Sequence, residues 1–313
     1  MSKKLKWRMD FTMEITGCDE EKGTFSFVLV PNRERYELRE IDGKKLWYDR
    51  LDNLYLPENI LQETAEFMLK TQPNIEPPLI GDSGSYVVGR RSEIRSSLTG
   101  ISLANDASRD TSKEYLDKLI AADNEFVIMS VDLVGSTSMA VTQSTEHYVA
   151  TVQTFLNELA DLVPLFRGHI LKFTGDGAIA YFPAPSFITK NDLAMDCACS
   201  ILRLVQDGIN PELKALGRAE IAVRIGMDSG SASVVTLGSV ASTQQRDIIG
   251  PLVSLACKIQ AKTPVGGIGV GEYTLRNLHT NWRKRFDEVR PKELDYTNPD
   301  TGSKYLIYTM PKL

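Results

Sequence analysis

The 313-residue sequence has few histidines, few cysteines and no long apolar run. It contains three histidines and four cysteines, and none of the cysteines has Cys-x-x-Cys spacing, so a structural zinc site is not expected. The longest apolar runs fall far short of the roughly 20 residues that a transmembrane helix needs. The basic start, Lys3-Lys4-Leu5-Lys6, is not followed by the apolar stretch of a secretory signal. The sequence therefore predicts a cytoplasmic protein with reduced thiols and no membrane partner.

An excess of basic charge is also missing. The formal net charge is −5, from 36 Lys and Arg against 41 Asp and Glu. Proteins that bind nucleic acid normally present a basic face, so no nucleic-acid partner is expected. The length leaves room for two domains. We predict a β-rich N-terminal domain over residues 1–110, with regulation as one candidate role, and a catalytic domain over residues 111–313.

Residues 71–110 are rich in proline, glycine and serine and show no sustained periodicity. This composition predicts a loop. The segment carries Arg90, Arg91 and Arg95. We interpret these arginines as solvated, with an anion site as the alternative.

Two short motifs each place an aspartate at the end of a β-prone run. Phe126–Val131 indicates a buried strand that ends at Asp132, before a Gly-Ser-Thr turn. Gly175-Asp176-Gly177 lies between two apolar runs and indicates a hairpin. Neighbouring strands would bring both carboxylates to one end of a sheet, where they suit a hard divalent cation and phosphate chemistry. Taken singly, Asp176 is also typical of an ordinary turn and Asp132 of a helix cap.

Three motifs in order make residues from about 125 to 310 similar to the catalytic domain of class III nucleotidyl cyclases. Asp132-Leu-Val-Gly-Ser-Thr137 resembles the family's Asp-Ile-x-Gly-Phe-Thr metal motif, with Ser136 where Phe is usual. Lys172-Phe-Thr-Gly-Asp176 resembles its Lys-x-x-Gly-Asp hairpin. The segment from Arg246 to Lys258 resembles its Asp-x-x-Gly-x-x-x-Asn-x-Ala-x-Arg strand and helix. The resemblance implies an α+β fold: a ferredoxin-like class III cyclase domain with an antiparallel sheet, preceded by the smaller β-rich domain.

The resemblance also implies a reaction and a metal site. A nucleotidyl cyclase, a phosphorus–oxygen lyase, converts a nucleoside triphosphate to a 3′,5′-cyclic nucleotide and pyrophosphate. Two Mg²⁺ or Mn²⁺ ions would be held by Asp132, Asp176 and the backbone carbonyl of Leu133. No histidine is needed as a base, which suits this sequence.

Further positions follow from the same resemblance. Ser254 and Lys258 stand where the family has Asn, which orients the ribose, and Arg, which stabilises the transition state. Lysine keeps the charge but loses the bidentate fork of arginine. Arg290 or Lys292 would hold the end of the triphosphate, and the sequence leaves the choice between them open.

The base is the least determined part of the substrate. Lys172 and Asp247 fall at the two positions that read the purine, and Lys with Asp is the pair that reads adenine. With its departures from the family pattern at Ser254 and Lys258, the sequence also resembles the bacterial pyrimidine cyclases of the Pycsar anti-phage systems, which make cyclic UMP or cyclic CMP. His169 is near enough to Lys172 in sequence to help read a smaller base. ATP and a pyrimidine triphosphate therefore remain equal alternatives.

The resemblance finally implies a homodimer with its sites at the interface. A head-to-tail pair would bring the metal-binding aspartates of one subunit to the base-reading and transition-state residues of the other.

Two alternatives to the cyclase function stay open. One is a nucleotide-sensing pseudo-cyclase without turnover. The other is a palm-type diguanylate cyclase, although its Gly-Gly-Asp/Glu-Glu-Phe hairpin is missing here.

Overall fold

The computed structural model describes residues 8–19, 24–71, 77–100, 112–119, 124–183, 187–240, 244–289 and 296–311. The strands are β1 Phe11–Asp19, β2 Thr24–Pro31, β3 Tyr36–Ile41, β4 Lys44–Asp49, β5 Leu54–Pro57, β6 Asn124–Leu133, β7 His169–Phe173, β8 Gly177–Phe182, β9 Val223–Leu237, β10 Gln245–Ile249, β11 Ile268–Gly271, β12 Asp287–Val289 and β13 Ile307–Met310. The helices are α1 Glu58–Thr71, α2 Ser83–Leu98, α3 Ser112–Asp117, α4 Ser136–Thr142, α5 Thr145–Leu162, α6 Phe187–Arg203, α7 Asn210–Ala215, α8 Pro251–Lys262, α9 Glu272–Asn277 and α10 Thr280–Arg283. Within the described ranges, none of these helices has the length and apolar character needed to cross a bilayer.

The chain forms two compact units. The smaller one comprises Met1–Ile75 and Leu278–Lys284, and the larger one Glu76–Asn277 and Arg285–Leu313. By this division the described residues 77–100, which the sequence analysis assigned to the N-terminal domain, belong to the larger unit.

The smaller unit is built from two small antiparallel sheets. β1 pairs with β2, and β3, β4 and β5 form a second sheet. Arg35 is almost fully buried and is ion-paired with Asp49 and Asp52 at 2.9 and 2.8 Å. Arg283 also pairs with Asp52, at 2.8 Å. The β-rich character expected for the N-terminal region is therefore present.

The larger unit contains the sheet on which the cyclase resemblance rests. Its strand order is β12-β13-β11-β9-β6-β8-β7, with β10 paired to β9. Strands β7-β8-β6-β9, with helices between β6 and β7 and between β8 and β9, form the βαββαβ arrangement of ferredoxin-like folds. The expectation of an antiparallel sheet needs one refinement, because β11 runs parallel to β9.

Strand β6 lies in the middle of this sheet and is buried on both faces. Phe126 and Ile128 belong to a buried cluster with Leu252 and Ala256 of α8. Helix α8 lies directly on β9, because a Cβ atom at Gly226 would come within 2.2 Å of the backbone nitrogen of Gln260. The chain after β10 therefore packs across the face of the sheet that carries the even-numbered residues of β6.

The prediction of a loop over residues 71–110 is wrong for most of the described part, because α2 spans Ser83–Leu98. Asp82 caps the helix by accepting hydrogen bonds from the backbone nitrogens of Gly84 and Ser85. The buried face is narrow and consists of Val87, Ile94 and Leu98. Glycine and serine have low helix propensity. Tertiary packing on this stripe stabilises a helix that composition disfavours.

The arginines of α2 pair with carboxylates of the same unit, while Arg91 and Arg95 keep 43% and 57% of their side-chain surface exposed, as the expectation of solvated arginines has it. Arg90 donates to Glu158 at 2.7 Å and to Asp161 at 2.8 Å. Arg91 donates to Glu212 at 2.9 Å. These contacts of Arg90 and Arg91 tie α2 to α5 and α7 within the larger unit.

Candidate active site

Asp132 and Asp176 lie together at one end of the central sheet. Asp132 is near the end of β6, in register with Gly177 of β8 on one side and Arg224 of β9 on the other. Asp176 lies in the turn that precedes Gly177. Burial raises the pKa of Asp132, the charge of Asp176 raises it further, and Arg224 opposes both effects. The two carboxylates are thus close enough to repel each other.

The turn that carries Asp176 depends on two glycines. Gly175 has a φ of +90°, and Thr174 donates its backbone N–H to the carbonyl of Gly177 at 2.9 Å. A glycine with positive φ at the first central position is typical of a type II′ hairpin. At Gly177, a Cβ atom would come within 2.4 Å of the carbonyl oxygen of Val131 and 2.9 Å of Oδ1 of Asp132. Only glycine leaves the carboxylate of Asp132 room at this position.

The carboxylate oxygens of Asp132 and Asp176 suit a divalent cation that keeps part of its coordination shell for other ligands. Among the described residues, no group of three or more His, Cys, Asp or Glu side chains is placed to hold a metal ion. The site offers the two carboxylates of Asp132 and Asp176. Mg²⁺ commonly binds through one or two carboxylates, with water and phosphate oxygens completing its shell. The residues present therefore fit Mg²⁺ or Mn²⁺.

Arg224 belongs to this site but was not singled out from the sequence. It lies opposite Asp132 in the β6–β9 pairing. Its Nε is buried and has no hydrogen-bond partner among the residues that the structure describes. The signal was a charged residue inside a core strand, between Val223 and Ile225, on the opposite face from these apolar neighbours. The charge of Arg224 acts on Asp132, and a half-buried guanidinium beside that carboxylate is suited to contact a phosphate.

The structure brings the two base-reading candidates together. Nζ of Lys172 in β7 lies 2.5 Å from Oδ2 of Asp247 in β10. The other oxygen of Asp247 accepts the backbone N–H of Ile248 at 2.8 Å. The Lys172 side chain is 41% exposed and that of Asp247 is 12% exposed, so an ammonium and a carboxylate lie side by side with access to solvent.

A β-bulge places His169 on the same face of β7 as Lys172. His169 is in register with Tyr181 and Lys172 with Ile179, and the register shifts between Ile170 and Lys172. Residues three apart in a regular strand would face opposite sides. The ring of His169 stacks on Tyr181 with centroids 5.1 Å apart.

Of the four remaining candidate site residues, the structure describes two. Ser254 and Lys258 are both exposed on α8, one helical turn apart and therefore on one face. In the described part of the chain no hydrogen bond or ion pair joins them to Asp132 or Asp176. The two candidates for the end of the triphosphate, Arg290 and Lys292, lie outside the described residues.

Comparison with known proteins decides the family. The profile described as "Adenylate and Guanylate cyclase catalytic domain" matches residues 120–308, well over half of the chain. The chain belongs to this family. The adenylyl cyclase CyaB from Pseudomonas aeruginosa is structurally similar, with a TM-score of 0.52 and 18% identity over 60% of this chain and 94% of that one. The guanylyl cyclase Cya2 gives a TM-score of 0.51 and 23% identity over 60% and 91% of the two chains. At these identities the structures show a shared class III cyclase fold.

Curated relatives match the same region. A cytidylate cyclase of Escherichia coli is 23% identical over 160 residues, which cover 49% of this chain and 35% of the relative. Adenylate cyclase 1 of Rhizobium meliloti is 25% identical over 147 residues, which cover 47% and 22%. The similarity thus spans about a third or less of the length of these relatives.

Proposed function

We propose that this protein is a nucleotidyl cyclase that converts a nucleoside triphosphate to a 3′,5′-cyclic nucleotide and pyrophosphate. The observation that carries the proposal is the pair of adjacent carboxylates, Asp132 and Asp176, at the sheet end of a cyclase-family domain. Their mutual repulsion leaves a site where a divalent cation is favoured. The cyclic nucleotide would serve as a second messenger, and anti-phage signalling is one setting for it.

Asp132, Asp176 and the carbonyl of Leu133 would hold Mg²⁺ or Mn²⁺. When bound, such ions lower the pKa of the attacking 3′-hydroxyl and neutralise charge on the phosphates. Beside them, the half-buried guanidinium of Arg224 would contact a phosphate oxygen through a terminal nitrogen, since its Nε is buried. Gly177 keeps the space next to Asp132 open by having no side chain. The chain's own part in this half of the site is therefore to position oxygens and one guanidinium.

The other half of the site would act on the ribose and the α-phosphate. Lys258 supplies a positive charge for the transition state, and Ser254 supplies a hydroxyl that binds the ribose. Both project from the exposed face of α8. We propose that they meet the metal site of a second copy, so that a head-to-tail homodimer carries two sites at its interface.

The base-reading pair favours a base with an exocyclic amine. Lys172 donates to a ring nitrogen and Asp247 accepts from the amine. Adenine and cytosine both present an acceptor nitrogen beside an amine, whereas guanine and uracil present an N–H beside a carbonyl. With guanine or uracil, Asp247 would oppose a second acceptor, at a cost of roughly 1–3 kcal/mol. CTP and ATP are therefore the two candidates. The cytidylate cyclase among the relatives supports CTP, and the adenylate cyclase supports ATP.

The proposal is tested by neutralising each metal-binding carboxylate. Asp132→Asn and Asp176→Asn should each lower turnover with Mn²⁺ by about 100-fold or more, since a metal ion contributes several kcal/mol to the transition state. Asp207→Asn, an exposed carboxylate elsewhere in the larger unit, is the matched control and should keep the wild-type rate. If either metal-site variant keeps wild-type turnover, the two-carboxylate site is wrong. Tight nucleotide binding by the wild type without any product would instead favour the nucleotide-sensing alternative.

A further inference from the structure

Helix α3, Ser112–Asp117, contacts both strands that carry the base-reading pair. It ends just before residue 120, where the match to the cyclase family begins. The family resemblance therefore assigns it no role. Its described side chains are those of Tyr115, Leu116 and Asp117.

The first contact is with β7. The ring of Tyr115 lies 5.0 Å from that of His169, centroid to centroid, and 6.5 Å from that of Tyr181. The bulge in β7 puts His169 on the same face as Lys172, with register partners two residues apart on β8. Tyr115 thus packs on the stretch of β7 that positions the lysine.

The second contact is with β10. Oδ1 of Asp117 lies 2.5 Å from Nε of Arg246, the residue before Asp247. This ion pair is partly exposed and contributes little to stability by itself. Between the two contacts, Leu116 is buried in a cluster with Ile179 and Ile248. Ile179 is the register partner of Lys172, and Ile248 follows Asp247 in β10.

The two strands need such a connection because they are not neighbours in the sheet. β7 is at the edge and pairs with β8, whereas β10 pairs with β9. No backbone ladder joins them in the described part of the chain, and yet Lys172 and Asp247 are 2.5 Å apart. The distance between Lys172 and Asp247 is therefore set by side-chain packing, and α3 packs against both of the strands that carry them.

We propose that α3 positions the base-reading pair and thereby determines base discrimination. Tyr115 holds β7 through His169, and Leu116 and Asp117 hold β10. This inference rests on the proposed function, since it assigns α3 a task at the same base site. Tyr115 is a positioning residue here, because it acts through His169 and Lys172.

The test compares base selectivity in variants of the full chain. Tyr115→Ala should lower the kcat/KM ratio of the preferred triphosphate over GTP about tenfold, the loss expected when one hydrogen bond to a charged group is misaligned. It should act through KM, with kcat for the preferred substrate within about threefold of wild type. Asp117→Asn should shift the ratio in the same direction but less, because its ion pair is partly exposed. Tyr115→Phe keeps the stacking ring and should retain wild-type selectivity. Lys118→Ala changes an exposed residue directly after α3 and is the matched control, which should also retain it.

A second measurement separates this inference from the proposed function. Binding of the four 3′-deoxynucleoside triphosphates, which lack the attacking hydroxyl, is measured by calorimetry for the same variants. If the wild type binds these analogues selectively but forms no product from the four ordinary triphosphates, and Tyr115→Ala loses that selectivity, the role of α3 stands and the cyclase proposal fails. Unchanged selectivity in a folded Tyr115→Ala protein overturns the inference, as does a fall in kcat alone. A wild type that does not discriminate among bases overturns it too.

Discussion

Asp228 is a fully buried carboxyl in β9 whose titration should be visible in the stability of the protein. Oδ2 accepts the hydroxyl of Tyr305 at 2.6 Å, and Oδ1 accepts the backbone N–H of Ser229 at 3.0 Å. Burial raises the pKa of Asp228 to about 7, and the charge of Glu272 adds to the effect. The informative change is Asp228→Asn, which keeps the shape and removes the ionisation.

The sign and the size follow from linkage. The unfolded carboxyl titrates near 3.8 and the folded one near 7, so the folded state holds a proton that the unfolded state releases between these values. The free energy of unfolding of the wild type therefore falls as pH rises from about 4 to about 7, and this contribution is constant above that range. About three pKa units correspond to at most about 4 kcal/mol. Asp228→Asn should lack this part of the pH dependence.

The assay is urea unfolding of both proteins at intervals from pH 4.5 to pH 8. Stability of Asp228→Asn relative to wild type should rise across this range and level off above pH 7. Glu272, whose pKa is also raised by burial, is present in both proteins, so its contribution largely cancels in the difference. Asp207→Asn serves as the exposed control and should show no such trend. A difference between Asp228→Asn and wild type that does not change with pH would refute the reasoning.

Three further predictions concern the active site. Gly177→Ala should cost about 1–3 kcal/mol in unfolding free energy, because its Cβ meets a backbone oxygen 2.4 Å away, and should also lower turnover. If Gly177→Ala keeps the thermal stability and the turnover rate of the wild type, the space beside Asp132 is not needed. Arg224→Ala should lower kcat/KM at least tenfold, since a charge-assisted hydrogen bond contributes about 1.5–3 kcal/mol, and an unchanged KM and rate would remove Arg224 from the phosphate site. Mixing Asp176→Ala chains with Lys258→Ala chains should restore part of the activity, because a heterodimer keeps one complete interface site. No recovery despite measured subunit exchange would place the whole site in one chain.

The sequence predicted that Asp132 and Asp176 meet at one end of the sheet because the pattern around each residue is local. A charged residue at the end of an apolar run locates Asp132, and a Gly-Asp-Gly turn between two strands locates Asp176. Register then follows from hairpin geometry. The core βαββαβ order was predicted in another way, because the three motifs in order carry the resemblance to the family and the resemblance implies that fold.

Other features depend on contacts between distant segments and were not predictable in this way. Helix α2 escaped detection because its apolar stripe is only three residues wide and its composition favours loops. The bulge that turns His169 toward the face of Lys172 is a property of strand pairing and not of the residues themselves. Arg224 was overlooked because periodicity was counted on apolar positions alone. The approach of Lys172 to Asp247 joins strands that are not neighbours, so only the assembled fold shows it.

The central claim is tested most directly by product identification. The purified protein is incubated with Mn²⁺ and, separately, with ATP, GTP, CTP and UTP, and the products are identified by mass. The account predicts one 3′,5′-cyclic nucleotide with an equal amount of pyrophosphate, formed from CTP or ATP, with GTP and UTP poor because they oppose Asp247 with a carbonyl. Robust cyclic GMP or cyclic UMP would contradict the assignment of Lys172 and Asp247. A linear product, a dinucleotide, or no product from any of the four would contradict the cyclase itself.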